Sequence, residues 1–185
     1  MRRWWNGIIL LLATAVGGVA FLSPFFGEGG SAATAHASDA PFLVLALVGL
    51  CLVAVVANLM AGAMHARTVA LLGILSAVNA VLRAVPGPAG FSAIFFLLIL
   101  CGYTYGPTFG FLMGALSLLV SALLGAGVGP WLPFQMFAAG WVGLSSGLLP
   151  NLRRHPKGEL ALLAAWGALW GLAFGAIMNL WFWPY

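Results

Sequence analysis

The chain has 185 residues, 63% of them hydrophobic and only 5% charged. A soluble domain carries roughly 25% charged residues to wet its surface, so this composition excludes a water-solvated globule and makes lipid the solvent. The formal charge of +4 comes from seven Lys and Arg scattered in small groups between apolar stretches, which reads as membrane topology and not as a patch for nucleic acid.

A membrane-spanning helix needs about 20 mainly apolar residues, and the chain offers seven candidates in order. Trp4 to Phe26 is the first. Met1-Arg2-Arg3 and Ala35-His36-Ala37 imitate a signal peptide and its cleavage site. The apolar stretch is nevertheless long enough to span, and the imitation site lies well beyond it, so the expectation is a retained helix. Gly27 to Ala40, small and polar with Glu28 and Asp39, is expected to be a short loop. Pro41 to Met64 is the second span, with Pro41 suited to a helix start. His65-Ala66-Arg67 punctuates, and Thr68 to Ala84 is the third, broken by Pro86-Gly87-Pro88. Phe91 to Tyr105 is a short fourth, ending at Gly106-Pro107, and Thr108 to Leu124 is the fifth. Gly125 to Pro133 is a Gly/Pro-rich loop carrying Trp131. Phe134 to Leu149 is the sixth, Asn151 to Gly158 a basic turn, and Glu159 to Phe182 the seventh, closing in an aromatic cluster. The fold class is therefore an all-α polytopic bundle.

Charge sets the orientation. With Arg2 and Arg3 in the cytoplasm, Arg67, Arg153, Arg154 and Lys157 also fall inside, so six of the seven basic residues obey the positive-inside rule. The expected location is the cell membrane, with a cytoplasmic N-terminus. Arg83 is the exception, near the outer end of the third span.

Catalysis finds little support. The three histidines fall in loops on different sides by this topology, and no Asp or Glu lies within a span beyond Glu159 at the very start of the seventh. Ser145-Ser146, between Gly143 and Gly147, has no histidine at its depth to activate it, and small residues there fit helix packing. Cys51 and Cys101 sit inside apolar runs as packing residues. No metal site, cofactor or enzyme activity is expected.

Binding fits better. Asn79, Arg83, Trp131, Gln135 and Asn179 gather near the expected outer end. Four of them have a plainer reading: Arg83 snorkelling to headgroups, Trp131 in an aromatic belt, Asn79 and Gln135 in interhelical hydrogen bonds. Two outer loops, Val85–Gly90 and Gly125–Pro133, are stiffened by Pro and opened by Gly, a combination able to close over a ligand. On the third span Ala70, Gly73, Ala77, Ala80 and Ala84 form a small-residue stripe that lets another helix approach closely.

Residues Ala70 to Pro150 resemble the substrate-binding S components of energy-coupling factor (ECF) vitamin transporters, most closely the cobalamin-associated branch. The Gly-Pro-Trp-Leu-Pro-Phe-Gln-Met run at 129–136 is the most specific piece, followed by the helical hairpin around Tyr103–Gly114. The likeness divides the chain into two N-terminal helices, 1–66, and an S-component-like core, 67–185. It implies capture of a vitamin at the outer face, a corrinoid first, with riboflavin or another vitamin or precursor as alternatives. It also implies docking on a transmembrane coupling (T) component driven by two ABC ATPase subunits, and toppling in the membrane to deliver the vitamin inward. The docking surface by position is Ala70, Gly73 and Ala77, and the pocket draws on Asn79, Arg83, Trp131, Gln135 and Asn179. The family core has six helices. Here two spans are prepended, and the expected core stops after its fifth. A reading from a different class is a membrane scaffold whose Gly/Ala faces pack on partner helices and bind no ligand.

Overall fold

The structure, a computed structural model, describes residues 2–22, 32–83, 92–152 and 154–182. Seven helices follow in chain order: α1 (Arg2–Leu22), α2 (Ala32–Met60), α3 (Ala66–Arg83), α4 (Ile94–Tyr105), α5 (Pro107–Ser121), α6 (Leu132–Ser146) and α7 (Pro156–Phe182). A π-helical turn, Ala122–Ala126, extends α5. The chain is thus an all-α membrane bundle. Ala40–Met60, Ala66–Arg83, Pro107–Ala126 and Pro156–Asn179 are long and apolar enough to cross a bilayer.

The boundaries expected from the sequence need three corrections. Helix α2 begins at Ala32, so 32–40 is helical where a loop was expected, and His36 lies in a helix. The alanines of this stretch are strong helix formers. Pro41 lies inside α2 and not at its start; it only removes one backbone donor from the ladder. Helix α7 begins at Pro156, three residues before Glu159, using the proline's fixed φ at a helix start. The expected loop Val85–Gly90 lies outside the described residues, as does Glu28.

At the centre, α5 and α6 meet almost backbone to backbone. A Cβ added at Gly143 would fall on the Gly110 carbonyl, and one at Gly110 on the Gly143 carbonyl. Gly102 of α4 approaches the same Gly143 carbonyl, and Gly114 approaches that of Ala139. Small residues replace the missing hydrophobic drive between helices in lipid by letting dispersion contacts close up. Around this seam Phe109, Leu112, Met113, Phe134, Met136, Phe137 and Val142 are fully buried. The α4–α5 hairpin turns at Gly106, whose φ of 94° suits glycine.

The outer helices dock on this block. Helix α1 rests on α6, with Gly17 under the rings of Phe137 and Trp141, and Phe21 meets Phe134 edge to face at 4.9 Å. Helix α7 is peripheral, none of its residues from Pro156 to Asn179 being buried. It is tethered by two indole donors: Trp166 Nε1 to Ser146 Oγ at 3.1 Å and Trp170 Nε1 to Ser145 Oγ at 2.9 Å. Both serine hydroxyls also donate to carbonyls of their own helix, Ser146 to Val142 and Ser145 to Trp141, each at 2.6 Å. The Ser145-Ser146 pair is therefore an interhelical fastening. Cys51 and Cys101 are buried, free thiols.

Candidate ligand-binding site

Five helices converge at the end of α3, the first turns of α4, the last turns of α5, the first half of α6 and residues 171–175 of α7. Their side chains enclose a cleft of about 390 Å³ lined by Arg83, Ser92, Ile94, Phe95, Leu98, Leu118, Gln135, Ala139, Gly171, Phe174 and Gly175. Its walls are mostly aliphatic and aromatic. Phe95 and Phe174 meet edge to face at 5.0 Å, which fixes two ring orientations at the α4–α7 wall.

The polar groups are few and placed together. Arg83 Nη2 donates to Gln135 Oε1 at 2.7 Å, across 52 residues of sequence. The other terminal nitrogen, Nη1, is buried and has no hydrogen-bond partner, and neither has the buried Ser92 hydroxyl. An amide oxygen orients a guanidinium without neutralising it. Among the described residues the cleft thus holds a cation with no acidic partner, oriented by Gln135.

Behind Arg83, the same face of α3 carries Asn79 and Ser76. Asn79 is fully buried and donates from Nδ2 to Ser117 Oγ of α5 at 3.1 Å. That hydroxyl in turn donates to the Met113 carbonyl at 2.6 Å. Asn79 Oδ1 and Ser76 Oγ have no partner. Asn79 does not line the cleft; it holds α3 against α5 beneath it.

The remaining sequence-nominated residues lie elsewhere. Trp131 folds back on its own loop, its ring occupying the space a Cβ at Gly129 would need, and it stays 39% exposed. Asn179 is an exposed residue of α7, one turn beyond Gly175, and also does not line the cleft. Sequence reasoning missed Ser92, Phe95 and Phe174, which read as ordinary residues of apolar helices. Phe174 stands four residues after Trp170, and that spacing puts both on one face of α7.

An apolar groove of about 450 Å³ between α4 and α7, lined by Phe96, Ile99, Leu160 and Leu163 among others, shares Ser92, Phe95 and Gly171 with the cleft.

On the outer surface of α3, Ala70, Gly73 and Ala77 are exposed. A Cβ at Gly73 would meet nothing within 4 Å. Ala80 faces the other way, buried in the bundle, and Ala84 lies outside the described residues. The exposed part of the stripe is therefore Ala70–Gly73–Ala77, flanked by Ile74, Val78 and Val81, which are also exposed. Among the described residues no three His, Cys, Asp or Glu come together.

Residues 67–185 match the family model described as ECF transporter, substrate-specific component. No curated protein and no solved structure matches the chain.

Proposed function

From a chain that belongs to the family of ECF transporter substrate-specific components, we infer a membrane subunit that captures a small vitamin or vitamin precursor in the Arg83–Gln135 cleft. It then passes this molecule inward through a transmembrane coupling component and two ABC ATPase subunits. The observation that carries the reading is the fixed, partly buried Arg83 in an otherwise apolar cleft. An ionisable group at such a place in a membrane protein is costly and is retained for function.

The cleft opens to the cell exterior in this reading, with the N-terminus in the cytoplasm, because six of the seven basic residues then fall on the cytoplasmic side. The exposed Ala70, Gly73 and Ala77 form the surface on which the coupling component packs, and residues 1–66 are an addition to an S-component core at 67–185. A cleft of about 390 Å³ stands near the lower end of the range of roughly 300–1,000 Å³ typical of small-molecule sites. The sequence resemblance puts a corrinoid first. A corrinoid, with its macrocycle and nucleotide arm, exceeds this volume, which favours the smaller alternatives, riboflavin or another vitamin or precursor.

The test is to purify the full chain from cells and identify by mass spectrometry the small molecule that travels with it, beside labelling of Trp131 in intact cells. A co-purifying vitamin and labelling from outside support the reading. A protein that carries and binds no small molecule would leave the scaffold reading, which the bare α3 face also suits. Labelling of Trp131 only from the cytosol would reverse the direction of transport.

A further inference from the structure

The capture reading leaves the chemistry of the captured molecule open, and the cleft constrains it. Two donors there are unused: Arg83 Nη1 and the Ser92 hydroxyl are buried with no partner. A buried donor left without an acceptor is destabilising, more so when it is charged. The charge itself is also unmet. Gln135, which holds the other arm of the guanidinium at 2.7 Å, is neutral, and among the described residues no acidic side chain lines the cleft. Glu159, in the first turn of α7, lies twelve residues from Gly171, about 18 Å away at 1.5 Å per residue. A cation between apolar walls with no described anion beside it is an incomplete pair, and an unpaired charge is what makes burial expensive.

We propose that the cleft is completed by an oxyanion, and that its substrate is a small vitamin or precursor bearing a carboxylate. The carboxylate meets Arg83 Nη1 and the Ser92 hydroxyl, and the apolar body lies against Phe95, Phe174, Leu98 and Leu118. Charge decides between a carboxylate and a neutral carbonyl. Both satisfy the donors, but only the anion neutralises the guanidinium, and charge-assisted hydrogen bonds are roughly twice as strong as neutral ones. Gln135 acts as a positioning residue: its bond to Nη2 fixes the orientation of the guanidinium at the cleft wall. The inference rests on the capture reading and narrows it to one class of substrate.

A lipid phosphate reaching into the cleft would offer the same chemistry from another source, so the experiment has arms for both. The full chain in nanodiscs is screened for thermal stabilisation by carboxylate vitamins and their primary amides: nicotinate with nicotinamide, biotin with biotinamide, lipoate with lipoamide. Riboflavin and cobalamin are included as neutral competitors, and native mass spectrometry records what the protein already holds. The expected result is that one carboxylate, or a carboxylate found co-purifying, binds at least roughly tenfold more tightly than its amide. Arg83→Gln should abolish that preference, and Arg83→Lys should keep part of it. If Arg83→Gln does not fold, the carboxylate-to-amide ratio in the unaltered protein decides alone. Tightest binding of riboflavin or cobalamin, undiminished in Arg83→Gln, would overturn the oxyanion while sparing vitamin capture. A phospholipid retained by the unaltered protein and lost in Arg83→Gln, with no vitamin bound, would assign the guanidinium to a headgroup and overturn the proposal. Absence of any bound small molecule would overturn the proposal and the capture reading together.

Discussion

Gly143→Ala tests the central seam with one methyl group. The new Cβ would meet the carbonyl oxygen, carbonyl carbon and Cα of Gly110. All three are backbone, so no side chain can rotate aside, and the two helices must part. A separation of about 1 Å forfeits up to about half of each dispersion well across the contact. The loss spreads along the seam, because Gly102 and Gly114 make equally close approaches to α6. Overpacking of this kind costs about 1–3 kcal/mol. At roughly 2–4 °C per kcal/mol for a chain of this size, the melting temperature should fall by roughly 2–12 °C. The assay is thermal unfolding of the purified protein in micelles, followed by tryptophan fluorescence, beside Gly73→Ala as the matched control. At Gly73 the added Cβ meets nothing, and alanine is the better helix former by about 1 kcal/mol, so that variant should melt with the unaltered protein or above it. Equal melting of Gly143→Ala and the parent would refute the close-approach account.

Other consequences are open to measurement. Ser145→Ala and Trp170→Phe each remove the 2.9 Å bond from α7 to α6, and a double-mutant cycle on thermal unfolding should return a coupling of about 0.6 kcal/mol, up to about 1.7; no coupling would mean that the bond is not formed in lipid. Gln135→Ala frees the Arg83 guanidinium and should weaken vitamin capture at least roughly tenfold, whereas Trp131→Ala and Asn179→Ala, outside the cleft lining, should change it less than about threefold. A reversed order in equilibrium binding would move the site to the Trp131 loop. Gly73→Leu combined with Ala77→Leu should preserve capture by the purified protein and reduce cellular uptake several-fold; normal uptake would remove the docking assignment.

Helix number and order were legible because they depend on local composition. Runs of apolar residues interrupted at His65, at Gly106-Pro107 and at the Gly-rich stretch from Gly125 to Trp131 announce themselves without any tertiary knowledge. The start of α2 was obscured for a related reason: small and polar residues such as those at 32–40 suit a loop and a helix end equally well, and Pro41 was a plausible boundary. Arg83 and Gln135 were individually visible as polar residues near helix ends. Their 2.7 Å contact was not, since it depends on how α3 and α6 are rotated about their axes. The same limit hid Phe95 and Phe174, apolar residues on apolar helices whose importance arises only from the wall they share. The small-residue stripe divides on rotation too, Ala80 turning inward while Gly73 and Ala77 face out.

The wall that the cleft shares with the lipid-side groove between α4 and α7 changes what fit means there. On that side a visiting hydrocarbon body is exchanged against acyl chains, so leaving water supplies little net drive. Shape at the Phe95 wall then discriminates weakly among tails, and amphiphiles, detergent included, compete for the same space. Selectivity is left to the few polar atoms of Arg83, Gln135 and Ser92, where a mismatch has no lipid substitute.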